Sequence, residues 1–251
     1  PASVDIINNW VSDKTHEKIT SIIESIPPQT AMYLINALYF YGNWKFEFDK
    51  EDNFPMVFNY EDGSSAEVEA MKQKADLSYF ADNQVRMVEL PYGDGNFSMT
   101  IILPVDGYKL NDIIPDVNNQ NWNTWRQQLT ERSVNLMLPK FKFEYKSLLN
   151  DYLKSMGMEI AFGEGADFSS MVQEPADLFI SRVIHKTFID VNEEGTEAAA
   201  VTAVEVSFTS VGPGGPAVQF AVDQPFIFVI SEKTSNSVVF MGKVGNPEYS
   251  E

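Results

Sequence analysis

His16 and His185 are the only two histidines in the 251 residues, and there is no cysteine. Nucleophilic catalysis needs an activated serine, cysteine or threonine beside a base that a third group orients. With two histidines, no thiol and no Gly-x-Ser-x-Gly turn, the usual triads have little to work with, and an enzyme is not expected. A zinc site needs clustered histidine, cysteine or carboxylate ligands, and neither histidine stands in such a motif. Gly93-Asp94-Gly95 separates two strand-like runs instead of opening a helix, so it reads as a turn and not as a phosphate cradle. No cofactor and no metal is expected.

The chemistry this chain does carry lies in its backbone. From Glu193 to Pro216 the residues are small and end in Gly-Pro-Gly-Gly-Pro, the composition of a loop. Yet Thr196 to Phe208 alternate with a period of two. Thr196, Ala198, Ala200, Thr202, Val204, Val206 and Phe208 share one face, and Glu197, Ala199, Val201, Ala203, Glu205 and Ser207 share the other. The first face grows more apolar along the chain, and both glutamates sit on the second, as in a strand with an inside and an outside. A segment that can be an exposed loop or a buried strand is a bistable element. The pattern alone also fits an ordinary strand, and it does not by itself show that the segment moves.

Composition narrows the partners. Hydrophobic residues make up 44% and aromatics 13%, ample for a packed core. Eighteen basic against thirty-six acidic residues leave a net charge of -18. Such a polyanion repels phosphate backbones and anionic lipid, so neither nucleic acid nor membrane is an expected partner. No apolar run approaches a membrane span. The lack of cysteine removes disulfides but says little about compartment. No signal peptide is visible, and the first residue is Pro1 rather than Met.

The elements that would position the loop follow from periodicity. Ile6, Ile7, Trp10 and Val11 predict a helix, and Ile19, Ile22, Ile23 and Ile26 extend the helical spacing until Pro27-Pro28. Residues 31–40 form a continuous apolar run that predicts a buried strand. Strands are expected around Val68, over 85–92 and over 97–104, the last two joined as a hairpin. Residues 111–132, with Trp122, Trp125 and Leu129 at helical intervals, predict one or two surface helices. A strand is expected over 134–145, then a helix over 147–158 that stops at Gly157. Strands over 178–191, 226–231 and 237–244 complete an α+β pattern with no internal repeat.

Read together, these segments resemble the serpin family. Residues 192–204, NEEGTEAAAVTAV, are similar to the family's hinge, in which glycine, threonine and a run of alanines begin the reactive loop. In order along the chain, INNWVSDKTHEKI (7–19), NALYFYGNWKFEF (36–48) and VELPYGDGNFSMTIILP (88–104) resemble a helix, a central strand and a core hairpin of the family. LPKFKFEY (138–145) with GADFSSM (165–171), and DQPFIFVISEKTSNSVVFMGKVGNP (223–247), resemble a strand-helix unit and the closing pair of strands.

The resemblance implies an α+β serpin fold with a large central mixed sheet, smaller sheets and surrounding helices. The whole of 1–251 would be the carboxy-terminal two-thirds of the domain, with the hinge at 192–204, the reactive loop at 195–216 and closing strands at 217–247. The amino-terminal part would be absent, a piece that could act as a separate partner chain, and these residues alone would be insoluble or molten. The implied partner is a serine protease, the implied setting secreted or extracellular. In the family the protease cuts the loop as a suicide substrate, and after acylation the loop inserts between two parallel strands of the main sheet. Thirteen residues at about 3.3 Å each give a strand of roughly 43 Å. A dozen new hydrogen bonds at about 0.5–1.5 kcal/mol each supply on the order of 10 kcal/mol, and burial of Val204, Val206 and Phe208 adds about 1.5–3 kcal/mol each.

Counting from Gly195 by the family's spacing puts the scissile bond between Thr209 and Ser210, with cleavage after Phe208 or after Ser210 as the neighbouring alternatives. Thr209 would suit an elastase-like protease and Phe208 a chymotrypsin-like one, while no Lys or Arg lies between Lys186 and Lys233 to suit a tryptic one. The hinge would be Glu193, Glu194, Gly195, Thr196, Glu197, Ala198, Ala199, Ala200, Val201 and Thr202. Lys140, Trp44, Asn36 and His185 would control sheet opening: Glu193 would pair with Lys140 near Trp44, and His185 with Asn36. A non-inhibitory carrier or chaperone is the alternative, but such members tend to have bulky, charged or proline residues in the hinge, unlike Ala198, Ala199, Ala200 and Thr202.

Overall fold

The computed structural model describes residues 2–172, 178–196 and 216–249, and it shows an α+β fold with an eight-stranded mixed sheet and a smaller five-stranded one. The chain divides into two units, residues 1–39 with 143–189, and residues 40–142 with 190–251.

In the first unit the opening helix forms as α1 (Ala2–Lys14). The second apolar set does not continue it. His16 and Glu17 take φ of 49° and 64°, which ends the helical path. The side chain of Thr15 then donates to the Val11 carbonyl at 2.8 Å and accepts from the Ile19 amide at 3.1 Å. Asn8 takes over the role of helical partners. Its Oδ1 accepts from the amides of Ile22 (2.9 Å) and Ile23 (3.1 Å), and its Nδ2 donates to the Ile23 carbonyl at 2.8 Å. Irregular chain can therefore be buried without orphaned backbone groups, and Ile19, Ile22 and Ile23 pack with Val11, Ile184 and Phe188 as a core.

Strand β1 (Met32–Tyr39) lies parallel to β9 (Ile180–Val191), in register from Met32 opposite Ile180 to Tyr39 opposite Phe188. Strand β8 (Phe141–Leu148) also pairs with β9. The apolar run of β1 is only half buried, contrary to expectation. Leu34 and Asn36, two residues apart, share an exposed face, and Leu34 is 42% accessible. After β8, α4 (Asn150–Leu153) passes into a π turn in which Gly157 adopts φ 97°, at the expected stop.

The second unit holds the large sheet. It comprises β3 (Phe54–Asn59), β4 (Ser65–Ala81), β5 (Val85–Tyr92), β6 (Phe97–Pro104), β7 (Thr130–Pro139), β11 (Val218–Ala221), β12 (Phe226–Glu232) and β13 (Val238–Val244). The order is β11-β7-β4-β5-β6-β12-β13, with β3 paired to β4. Among the described residues of this sheet, only β11 runs parallel to its neighbour, β7. The expected hairpin is present, with Tyr92 opposite Phe97. The polar stretch after it forms α2 (Leu110–Ile113) and α3 (Asn119–Gln128). Trp122 and Trp125 of α3 pack on Met87, Ile102, Ile227 and Val229 of the sheet.

The single strand expected over 134–145 is two. β7 follows β4 as far as Pro139 opposite Ala70, and β8 leaves for β9. Lys140 is the changeover residue, its amide held by the Glu69 carbonyl at 2.9 Å. Two short strands, β2 (Gly42–Asn43) and β10 (Gly195–Thr196), pair with each other, and Thr196 also opposes Val191.

Candidate functional site at the hinge

The break at Lys140 sends its side chain into a polar cluster within the second unit. Lys140 Nζ lies 3.0 Å from Glu193 Oε1 and 3.2 Å from Glu69 Oε1. The two side chains of the first pair are 7% and 5% accessible, whereas Glu69 is half exposed. Asn53 Nδ2 donates to the carboxylates of both Glu193 and Glu69. Burial works against the Lys140 charge, but the hydrogen bonds and charges of Glu193 and Glu69 outweigh it and raise the ammonium pKa. Burial likewise disfavours the Glu193 anion, and the donors Asn53, its own backbone and Lys140 prevail and lower it. Both members stay charged through the neutral range.

The backbone on either side of Glu193 is held as firmly. The Trp44 indole Nε1 donates to the Asn192 carbonyl at 2.9 Å. The amides of Trp44 and Phe48 donate to the carbonyls of Glu194 and Glu193, each at 2.9 Å. Lys50 Nζ pairs with Glu194 Oε1 at 2.5 Å on the exposed side.

Beyond Glu194 the strand turns inward. Thr196 is fully buried, and its hydroxyl lies 2.6 Å from that of Tyr92. Burial pushes the Tyr92 phenol up, so it remains a neutral partner. The Tyr92 ring stacks on Trp44 at 4.4 Å between centroids and 12° between planes, and it meets Phe40 at 4.9 Å. Gly195 passes so close to β2 that a Cβ there would sit 2.2 Å from the Gly42 carbonyl oxygen. Gly195→Ala is therefore expected to prise β10 from β2 and destabilise the fold by about 1–3 kcal/mol, as measured by urea unfolding; an unchanged midpoint would contradict it.

The other expected pair lies in the first unit. His185 faces Asn36 across the β1–β9 register, with Nδ1 3.1 Å from Asn36 Oδ1. An amide oxygen only accepts, so Nδ1 carries the proton, and partial burial lowers the imidazole pKa. Of the expected site residues, the structure thus joins Glu193 to Lys140, Trp44 to the hinge backbone, and His185 to Asn36. Glu197, Ala198, Ala199, Ala200, Val201, Thr202, Phe208, Thr209 and Ser210 lie outside the described residues. Asn53, Glu69, Tyr92 and Lys50 were not expected at the site. No motif marks them, because each arrives through strand pairing or packing and not through spacing along the chain.

Known proteins resemble this chain along nearly its whole length. A family model described as serpin (serine protease inhibitor) matches residues 1–247. Iripin-3 of Ixodes ricinus is 38% identical over 247 residues, 97% of this chain and 62% of its own length. The crystal structure of tengpin, a thermophilic serpin, in the native state superposes with a TM-score of 0.87 at 34% identity, covering 98% of this chain and 63% of that one. A structure of thyroxine-binding globulin with thyroxine gives a TM-score of 0.86 at 27% identity, covering 99% and 65%.

These matches correct one expectation. The domain was expected to lack its amino-terminal part, but the family match takes in the chain from residue 1 to residue 247. One relative, a serpin-like protein of Methanosarcina acetivorans, aligns with all of the chain. The chain spans about three-fifths of the length of the curated relatives it matches. With the family model covering 1–247 and relatives above 30% identity along nearly its whole length, the chain belongs to the serpin family.

Proposed function

We propose that this chain carries the trapping machinery of a serine-protease inhibitor that acts as a suicide substrate. The observation that carries the reading is the root of the loop. Glu193 and Thr196, 4% and 0% accessible, anchor a segment whose next residues are small and alternate in polarity up to Phe208. A protease would attack between Thr209 and Ser210, with cleavage after Phe208 as the neighbouring alternative. The freed strand would then enter between β1 and β9, the parallel neighbours. The reactive loop is read as 195–216, the hinge as 192–204 and the closing strands as 217–247. Glu193 with Lys140 beside Trp44, and His185 with Asn36, are read as controls on opening. An extracellular setting goes with this reading.

The full-length protein mixed with elastase-like and chymotrypsin-like proteases is expected to give an SDS-stable complex and to release a peptide beginning at Ser210, or at Thr209 if Phe208 is the cut site. No complex with any member of such a panel would reject the proposal. The likeness to a thyroxine-binding globulin structure supports a second reading, a carrier that binds a small ligand. Cleavage without complex formation would favour it. The small residues at Ala198, Ala199 and Ala200 weigh towards insertion and hence towards inhibition.

A further inference from the structure

Lys140 has a third partner that the ion pair does not explain. An ammonium carries three N–H donors, and Glu193 and Glu69 lie within reach of Nζ at 3.0 and 3.2 Å. The ring of Tyr249 covers the same nitrogen, with its centroid 4.2 Å away. The negative face of an aromatic ring attracts a cation, and more strongly once water is excluded. Tyr249 is set there by the segment after β13. The Lys142 amide donates to the Glu248 carbonyl at 2.8 Å, and Asn246 bonds the Tyr60 hydroxyl at 3.0 Å and Glu248 Oε1 at 2.6 Å. On its other side the Tyr249 side chain shares a cleft with Asn192, the residue before Glu193. Burial first, and the charge of Asp190 second, push the Tyr249 phenol up, so the ring stays neutral. A second ammonium, Lys142, lies 5.9 Å from the ring and pairs with Asp190 at 3.4 Å.

We infer that Tyr249 is a positioning residue for the hinge: it caps the Lys140 ammonium, keeps the Glu193 pair dry and closed, and ties the segment after β13 to the root of the loop. The cap stands on the contacts of the ion pair alone; its effect on trapping rests on the function proposed above.

In the intact protein carrying labelled lysine, the Lys140 ε-methylene protons are expected upfield of the other lysines, because the ring lies over them. An unshifted signal overturns the inference and needs no variant. Tyr249→Leu is expected to raise the rate at which an N-hydroxysuccinimide ester acylates Lys140, read by peptide mass spectrometry, about fivefold. Tyr249→Phe keeps the face and is expected to stay within about twofold of the parent protein. Equal labelling in Tyr249→Leu and the parent, or Tyr249→Phe following Tyr249→Leu, overturns the inference. Altered labelling with no complex for any protease sinks the trapping function and leaves the cap. Normal complexes with unaltered labelling sink the cap alone.

Discussion

Thr196→Arg is expected to convert the protein from an inhibitor into a substrate, raising the number of inhibitor molecules consumed per protease trapped at least about tenfold. Thr196 is the first inward residue of the alternating segment and is already fully buried, with its hydroxyl on Tyr92 and the Trp44 ring stacked behind that phenol. The group its side chain meets, the Tyr92 phenol, is neutral and offers a guanidinium no counter-charge. Burying an unpaired cation carries a penalty of several kcal/mol, so arginine would swing outward and hold the root of the loop outside. The protease would then complete its cut and leave. Arginine would also pull β10 from β2, so the same variant is expected to lose stability much as Gly195→Ala does, by about 1–3 kcal/mol. A Thr196→Arg protein that still traps protease at the parent ratio would refute the argument. One that fails to fold at all would instead show that β10 matters more to the native state than its length suggests.

Lys140→Ala is expected to destabilise the fold by about 3–5 kcal/mol, because it strands the Glu193 carboxylate in a nearly closed site with Asn53 as its remaining side-chain donor. Glu193→Ala is expected to lose less, since Lys140 keeps Glu69 and the Tyr249 ring. Acidity separates this effect from lost packing. The Glu193 pKa is lowered from 4.5, so its share of the stability is present above that value and is lost as pH falls through the lowered one. The Lys140 pKa is raised from 10.5, so its share is present below that value and is lost as pH rises through the raised one. The gap between parent and Lys140→Ala, measured by urea unfolding, is therefore expected to be level between pH 4.5 and 10.5 and to shrink in acid. A gap of the same size at pH 2 as at pH 7 would assign the loss to packing.

Strands were legible where alternation was strong and both faces were defined. Residues 85–92 and 97–104 form β5 and β6 with the expected ends. The helix expected over Ile19–Ile26 failed because spacing reports which residues are buried and not which backbone buries them. Asn8, one polar residue, supplies the bonds that a helix would have made. The break at Pro139 and Lys140 was invisible for a related reason: the residues on both sides keep strand character while changing partners. At the site, the pairing of Glu193 with Lys140 came from family resemblance, since the two are far apart in sequence and neither sits in a motif. The roles of Asn53, Glu69, Tyr92 and Tyr249 depend on which strands lie side by side, and one sequence does not state that.

The register of β1 on β9 sets a timetable for any strand that enters between them. Each rung opened along this seam frees two half-ladders, and the newcomer closes both, so the front always travels with few bonds idle. The hinge follows the Val191 end of β9, which places the first rungs to part at Tyr39–Phe188, Leu38–Thr187 and Ala37–Lys186. Only then does the front reach Asn36 and His185, joined by side chains as well as by backbone. Under the function proposed above, that pair would act as a latch part-way down the seam, felt only by a strand that has already begun its entry, and a fluctuation that parts the first rungs alone would close again without disturbing it.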